Sequence, residues 1–154
     1  MDALQDRYSP LGSCFGCGPT NPQGLRIKSI VQGDRVVCDW TPAPHHQAFP
    51  RMLNGGICGA LLDCHSNWTA AHHLMGRRGV EAPPCTVTAE FHVKLLRPTP
   101  LEKPLHLWAQ IETGEPSQDR AVVLATLESD GKVRATCRGV FVAVTEGHPA
   151  YHRW

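Results

Sequence analysis

One acid stands in the middle of the most apolar long stretch of this chain. Between Gly55 and Met75 the only charged residue is Asp63, with histidine counted as neutral. A carboxylate in such a stretch is costly unless it is hydrogen-bonded, paired or part of a site. If the stretch is helical, Gly56, Gly59, Ala60, Asn67 and Ala70 share one side with Asp63 at three- and four-residue spacing. That side is small and polar. Ile57, Leu61, Leu62, Trp68 and Met75 take the other side. Small residues around an acid leave room for a ligand or for a second chain. The plainer alternative is an acid that bonds a backbone group or His65, or that faces solvent. Apolar surroundings push a carboxyl pKa upward, which suits a general base near neutral pH.

The second feature is Asn54-Gly55-Gly56, where the apolar stretch begins. Asn is a good helix N-cap, and two glycines let a ligand approach bare backbone N–H groups. Such a helix start suits an anion or a developing oxyanion. The alternative is a plain capped turn. Gly55 and Asp63 are eight residues apart, about 12 Å along one helix at ~1.5 Å per residue. Both cannot reach one reacting carbonyl from the same helix. If they act on one atom, they come from two subunits, and the site is shared in a dimer.

The elements that would position these groups can be read from the punctuation. Residues 1–23 hold Pro10, Gly12, Gly16, Gly18, Pro19 and Pro22 and read as irregular. Leu25–Val31 and Arg35–Trp40 read as a hairpin around Gln32-Gly33-Asp34. Three prolines in 41–54 exclude a helix interior there. A helix is expected from Gly55 to about Leu74, stopped by Gly76-Arg77-Arg78-Gly79. Strands are expected at 85–97, 104–113, 120–129 and 132–144. In the first of these, Thr86, Thr88, Glu90, His92 and Lys94 alternate with Val87, Ala89, Phe91, Val93 and Leu95, a period of two. Asp130-Gly131 is a hairpin turn. A helix that is apolar nearly all round needs a sheet broad enough to cover it. An α+β fold, with an antiparallel sheet curled around one long central helix, meets that need.

Composition narrows the function classes. The chain has 154 residues, which allows one core and not two. Fifteen Lys+Arg against fourteen Asp+Glu leave a net charge of +1. That argues against a polybasic partner of nucleic acid. No apolar run approaches a membrane span. MDALQDRYSP has no basic start followed by an apolar stretch, so no secretory signal is expected. The seven cysteines are then expected as reduced cytoplasmic thiols.

The helix stretch LNGGICGALLDCHSNW resembles the helix motif of hotdog-fold acyl-CoA thioesterases, commonly HGG followed by about six residues and an acid. The likeness is to the 4-hydroxybenzoyl-CoA and phenylacetate-type enzymes. CTVTAEFHVKLLRPTP is similar to that superfamily's next strand, RATCRGVFVAV to its last, and CFGCGPTNPQGL to an N-terminal segment of some bacterial members. The similarity covers most of residues 14–144. It implies a single hotdog domain over 24–146, after the irregular segment 1–23 and before a tail at 147–154. It also implies a thioesterase that hydrolyses an acyl-CoA to free acid and CoA, without cofactor or metal, as a homodimer or a dimer of dimers. By that resemblance Asp63 is nucleophile or general base, and the Gly55 N–H polarises the carbonyl with Gly56 beside it. Asn67 orients water or the acid, and Thr88 supplies a hydroxyl. Asn54 stands where the family has His. The polar residue before the helix falls near Ala48, with His46 and Gln47 adjacent. Arg97, Arg77 and Arg78 are placed to hold CoA phosphates, against their reading as solvated arginines. Trp68, Phe91, Trp108 and Phe49 would set pocket depth.

Three rival readings come from other features. Cys14-x-x-Cys17 is half of a zinc site that His45 or His46 could complete, or else a glycine-rich turn. Cys58 and Cys64 read as small helix hydrophobes. His45 and His46 lie in the region where hotdog hydratases and dehydratases carry a histidine, which makes an enoyl-CoA hydratase the enzymatic alternative. A non-catalytic acyl-CoA-binding protein is the third, and it has no use for Asp63.

Overall fold

The apolar stretch forms helix α2, Gly55–Arg78, in the computed structural model, which describes residues 1–151. Asn54 caps it, its side chain accepting from the Ile57 N–H at 3.2 Å. Gly79 closes it at φ 65, a conformation that favours glycine, and its N–H donates to the Met75 and Gly76 carbonyls. The helix therefore runs four residues past the expected Leu74. Gly76 does not stop it, because nothing there requires a left-handed residue. Arg77 and Arg78 sit in the last turn, at the negative end of the helix dipole.

Six strands wrap the helix: β1 (Ile30–Gln32), β2 (Arg35–Trp40), β3 (Thr86–Leu95), β4 (Leu105–Ile111), β5 (Arg120–Ser129) and β6 (Lys132–Ala143). They form one sheet in the order β1-β2-β4-β5-β6-β3, and every neighbouring pair is antiparallel. Alternate residues turn inward. Leu105, Leu107 and Ala109 of β4, Val123, Ala125 and Leu127 of β5, and Ala135, Cys137 and Phe141 of β6 are buried with Leu61, Leu62 and Leu74 of α2. This is the α+β hotdog architecture that the residues call for. Among the described residues, no helix is long and apolar enough to cross a membrane.

The N-terminal segment is more ordered than its prolines and glycines implied. Leu4–Tyr8 forms a short helix, α1, and Leu4 packs with Val36 and Trp68. The first hairpin strand is shorter than expected. Residues 25–29 leave the sheet and bond instead to the loop before them, Leu25 N–H to the Phe15 carbonyl and Ile27 N–H to that of Gly16. Of the tail expected at 147–154, residues 152–154 lie outside the described residues.

A buried polar chain ties this segment to the helix. The Gln5 amide donates to Ser29 Oγ at 3.0 Å, and Ser29 Oγ meets His65 Nδ1 at 2.9 Å. His65 Nε2 lies 3.0 Å from the Val36 carbonyl, which can only accept. The ring therefore carries a proton on Nε2, and with burial keeping it neutral Nδ1 accepts from Ser29. His65 has no exposure to solvent, and burial lowers its pKa from 6.5 to about 4. Within that interval the unfolded chain takes up a proton that the folded chain refuses, so stability falls as pH drops from 6.5 to about 4. The loss reaches about 3 kcal/mol at the acid end. Melting temperature measured against pH is expected to fall more steeply in wild type than in His65→Gln over this window. Parallel slopes would contradict the assignment.

Candidate active site

The acid on the helix is met by the strand. Thr88 Oγ1 donates to Asp63 Oδ1 at 2.7 Å, joining β3 to α2. Asp63 is half-buried, and its charge adds to the burial that pushes the neighbouring Cys137 thiol up to about 11.

Thr88 reaches the acid because β3 is not a regular strand. Its register against β6 shifts between Thr88 and Glu90: Thr88 pairs with Phe141, and Glu90 with Val140. Ala89 is the extra residue of a bulge, which reverses the alternation. Thr86 and Thr88 before the bulge share the helix side with Phe91, Val93 and Leu95 after it, opposite Gly139, Cys137 and Ala135. Glu90, His92 and Lys94 turn outward. The period-two reading of the sequence put His92 on the Thr88 face, and the bulge corrects it.

Asn67, one turn after the acid, is buried and bonded to Thr86. Its Oδ1 accepts from Thr86 Oγ1 at 2.6 Å and its Nδ2 donates to the Thr86 carbonyl at 3.5 Å. Asn67–Thr86 and Asp63–Thr88 are thus two successive rungs between helix and strand.

The helix start lies at the other end of the same strand. A Cβ on Gly55 would stand 2.9 Å from the Leu95 side chain. The cap engages Ile57 and Cys58, and among the described residues nothing accepts from the N–H groups of Gly55 or Gly56. The preceding loop closes on this end through its backbone, with Asn54 N–H donating to the His46 carbonyl at 2.9 Å. His46 Nδ1 accepts from the Ala43 N–H at 2.9 Å, and the ring packs on Trp40 and His45. Burial, then the neighbouring His45, lowers its pKa. Gln47 is exposed, and its Oε1 accepts from the Arg51 N–H. Asn54, Gly55, Gly56, His46 and Gln47 therefore gather at one end of α2, while Asp63, Asn67 and Thr88 gather two turns along it.

The arginines are partly engaged. Arg97 donates to the Val133 carbonyl at 2.8 Å, and Arg78 pairs with Asp119 at 2.6 Å. Arg77 lines a cleft of about 560 Å³ with His73, Arg120 and Arg138, near the far end of α2. Of the aromatic residues, Trp68 is core and Trp108 donates to Glu128 beside Arg35, whereas Phe49 and Phe91 are exposed.

One grouping went unread in the sequence. Cys64 stands beside Cys14 and Cys17, with all three sulfurs within 4.8 Å of one another. Thiol hydrogen bonds from Cys17 and Cys64 hold the Cys14 pKa well below the ordinary thiol range, and the same sharing raises Cys17 to about 11 and Cys64 further. The partner expected from sequence was His45 or His46. Cys64 was missed because nothing in one chain shows which loop packs on its side of the helix.

No protein-family model and no curated protein matches the sequence. Solved structures do match the fold. A thioesterase superfamily protein from Shewanella loihica is 28% identical, with 92% of this chain and 99% of that one covered at a TM-score of 0.68. The E. coli PaaI protein from the phenylacetic acid degradation operon is 17% identical, covering 79% of this chain and 81% of its own at 0.60. A Streptococcus mutans protein solved with acetyl-CoA bound is 12% identical, covering 77% and 88% at 0.62. The chain shares the hotdog fold of thioesterase-superfamily proteins, the resemblance that its helix motif carries.

Proposed function

We propose that the protein is an acyl-CoA thioesterase that hydrolyses its substrate to free acid and CoA in a site shared by two copies of the chain. The observation that carries this reading is the position of the two half-sites at opposite ends of one edge strand. Among the described residues β3 is an edge: it bonds β6 on one side and no strand on the other. Ten residues of open edge, with Phe91 42% and Leu95 59% exposed, and Leu96 just beyond them 50% exposed, invite another strand. An antiparallel pairing with the β3 of a second copy sets the Leu95 end of one strand beside the Thr86–Thr88 end of the other. Gly55 of one protomer travels with Leu95, so its N–H is carried towards Asp63 of the partner.

In that arrangement the Gly55 N–H, at the positive end of a helix dipole, polarises the thioester carbonyl. Asp63 attacks the carbonyl carbon, or takes a proton from the water that does. The Thr88 hydroxyl fixes one carboxylate oxygen and so aims the other. Asn67, bonded to Thr86, holds the strand at the register that keeps Thr88 in reach. CoA leaves as thiolate and is protonated; water supplies the second oxygen of the acid. Asn54, Gly56, His46 and Gln47 border the carbonyl end of the pocket, and Arg97 stands near the rim for the CoA phosphates. The fold shared with an acetyl-CoA-bound protein supports the substrate class.

Asp63→Asn is expected to lower kcat at least about 10²-fold with the fold intact, read as free thiol released from a panel of acyl-CoAs. Unchanged hydrolysis would end the assignment. A Gly55→Ala control keeps the N–H and carries the 2.9 Å contact of a Cβ with Leu95; Gly55→Pro adds to that contact the loss of the N–H, at a first helical position that suits proline after the extended backbone of Asn54. It is expected to cost about 10²–10³-fold in kcat. Phe91→Lys with Leu95→Lys should yield an inactive monomer by light scattering; a fully active monomer would refute the shared site.

A further inference from the structure

We propose that Cys14, Cys17 and Cys64 form a binding site for a thiophilic metal ion, Zn²⁺ being the divalent ion that suits it, which clamps the N-terminal loop onto the central helix. This stands apart from the thioesterase reading and uses none of its residues. The Cys14 and Cys64 sulfurs are 3.8 Å apart, and all three lie within 4.8 Å of one another. Three thiolates at ~2.3 Å from a tetrahedral zinc ion are ~3.8 Å apart, so little movement is required.

The loop is shaped for sulfur ligands. In Cys14-Phe15-Gly16-Cys17-Gly18 the chain turns so tightly that a Cβ on Gly18 would lie 2.3 Å from the Cys14 nitrogen, and the Gly18 N–H donates to the Cys14 carbonyl at 2.8 Å. A Cβ on Gly16 would lie 2.3 Å from the Cys64 sulfur. Both glycines are needed to bring two cysteines of the loop onto one of the helix. An N–H donor is also aimed at one of the sulfurs: Trp68 Nε1 donates to Cys17 Sγ at 3.3 Å. Such a donor offsets the negative charge of a metal-bound thiolate; a disulfide's neutral sulfurs have no comparable need of it. Three protein thiolates leave a fourth tetrahedral position. Beside Cys14 and Cys17 lies a cleft of about 230 Å³ that includes Ser9, Ser13 and Trp68, with room for water or an added ligand.

The clamp has a structural consequence. The loop it holds accepts the Leu25 and Ile27 N–H groups at 2.7 and 3.2 Å, and both residues belong to the core. The test is metal analysis of the full chain purified under reducing conditions, then Co²⁺ exchange into the stripped protein. One zinc per chain is expected, with thiolate-to-cobalt charge-transfer and tetrahedral d–d bands after exchange. Cys14→Ser and Cys64→Ser should abolish both, while Cys85→Ser keeps them. Should Cys64→Ser fail to fold by circular dichroism, the exposed Cys14 variant decides. Removing the metal should speed hydrogen exchange at Leu25 and Ile27. A chain that neither retains zinc nor binds added Zn²⁺ or Co²⁺, a disulfide between any two of the three under reducing conditions, or equal metal loss in Cys85→Ser would overturn the proposal.

Discussion

A carboxylate on an apolar helix has to be answered by a donor, and here the answer comes from the neighbouring strand. The 2.7 Å bond from Thr88 to Asp63 and the 2.6 Å bond from Thr86 to Asn67 are polar rungs that join β3 to α2. Removing a buried partner typically costs about 1–3 kcal/mol, because the group left behind stays desolvated. The rungs therefore do more than satisfy polar atoms. They fix which strand residues face the helix, and so the register of the long edge strand beside the acid.

The bulge at Ala89 follows from the same constraint. Without it a regular alternation from Thr86 would turn His92 and Lys94 towards the core, opposite the buried side of β6. One extra residue lets two threonines answer the helix polars and then returns Phe91, Val93 and Leu95 to the apolar side. The strand thereby carries polar anchoring at one end and an apolar, exposed edge at the other. A sheet edge of that composition is a liability in a lone protomer and an asset in a pair. On this view the pairing surface and the catalytic geometry are one feature of β3.

Much of this was legible in the chain. The isolated Asp63, the Asn-Gly-Gly start and the absence of proline mark α2. The Asp130-Gly131 turn and the two-residue alternation mark the strands after it. The eight-residue gap between Gly55 and Asp63 is equally readable: if the two act on one atom, they come from two subunits. What was not legible depended on contacts distant in sequence. The bulge depends on how β3 settles against β6, about 50 residues on. The polar chain from Gln5 through Ser29 to His65 joins three segments, and no local pattern announces it. Cys64 looked like a helix hydrophobe because its neighbours Cys14 and Cys17 are 50 and 47 residues away along the chain. Residues 25–29 read as strand from their alternation, yet they pair with a loop, and loop pairing has no periodic signature.

The most direct test of the shared site is complementation between two inactive chains. Asp63→Asn and Gly55→Pro protomers would be mixed, exchanged through mild denaturation and assayed for thiol release. Each mixed dimer holds one intact pairing of Asp63 with the other chain's Gly55, so random exchange should restore roughly a quarter of wild-type activity. If each protomer housed a complete site, every species in the mixture would be dead, and the absence of any recovery would contradict the shared geometry.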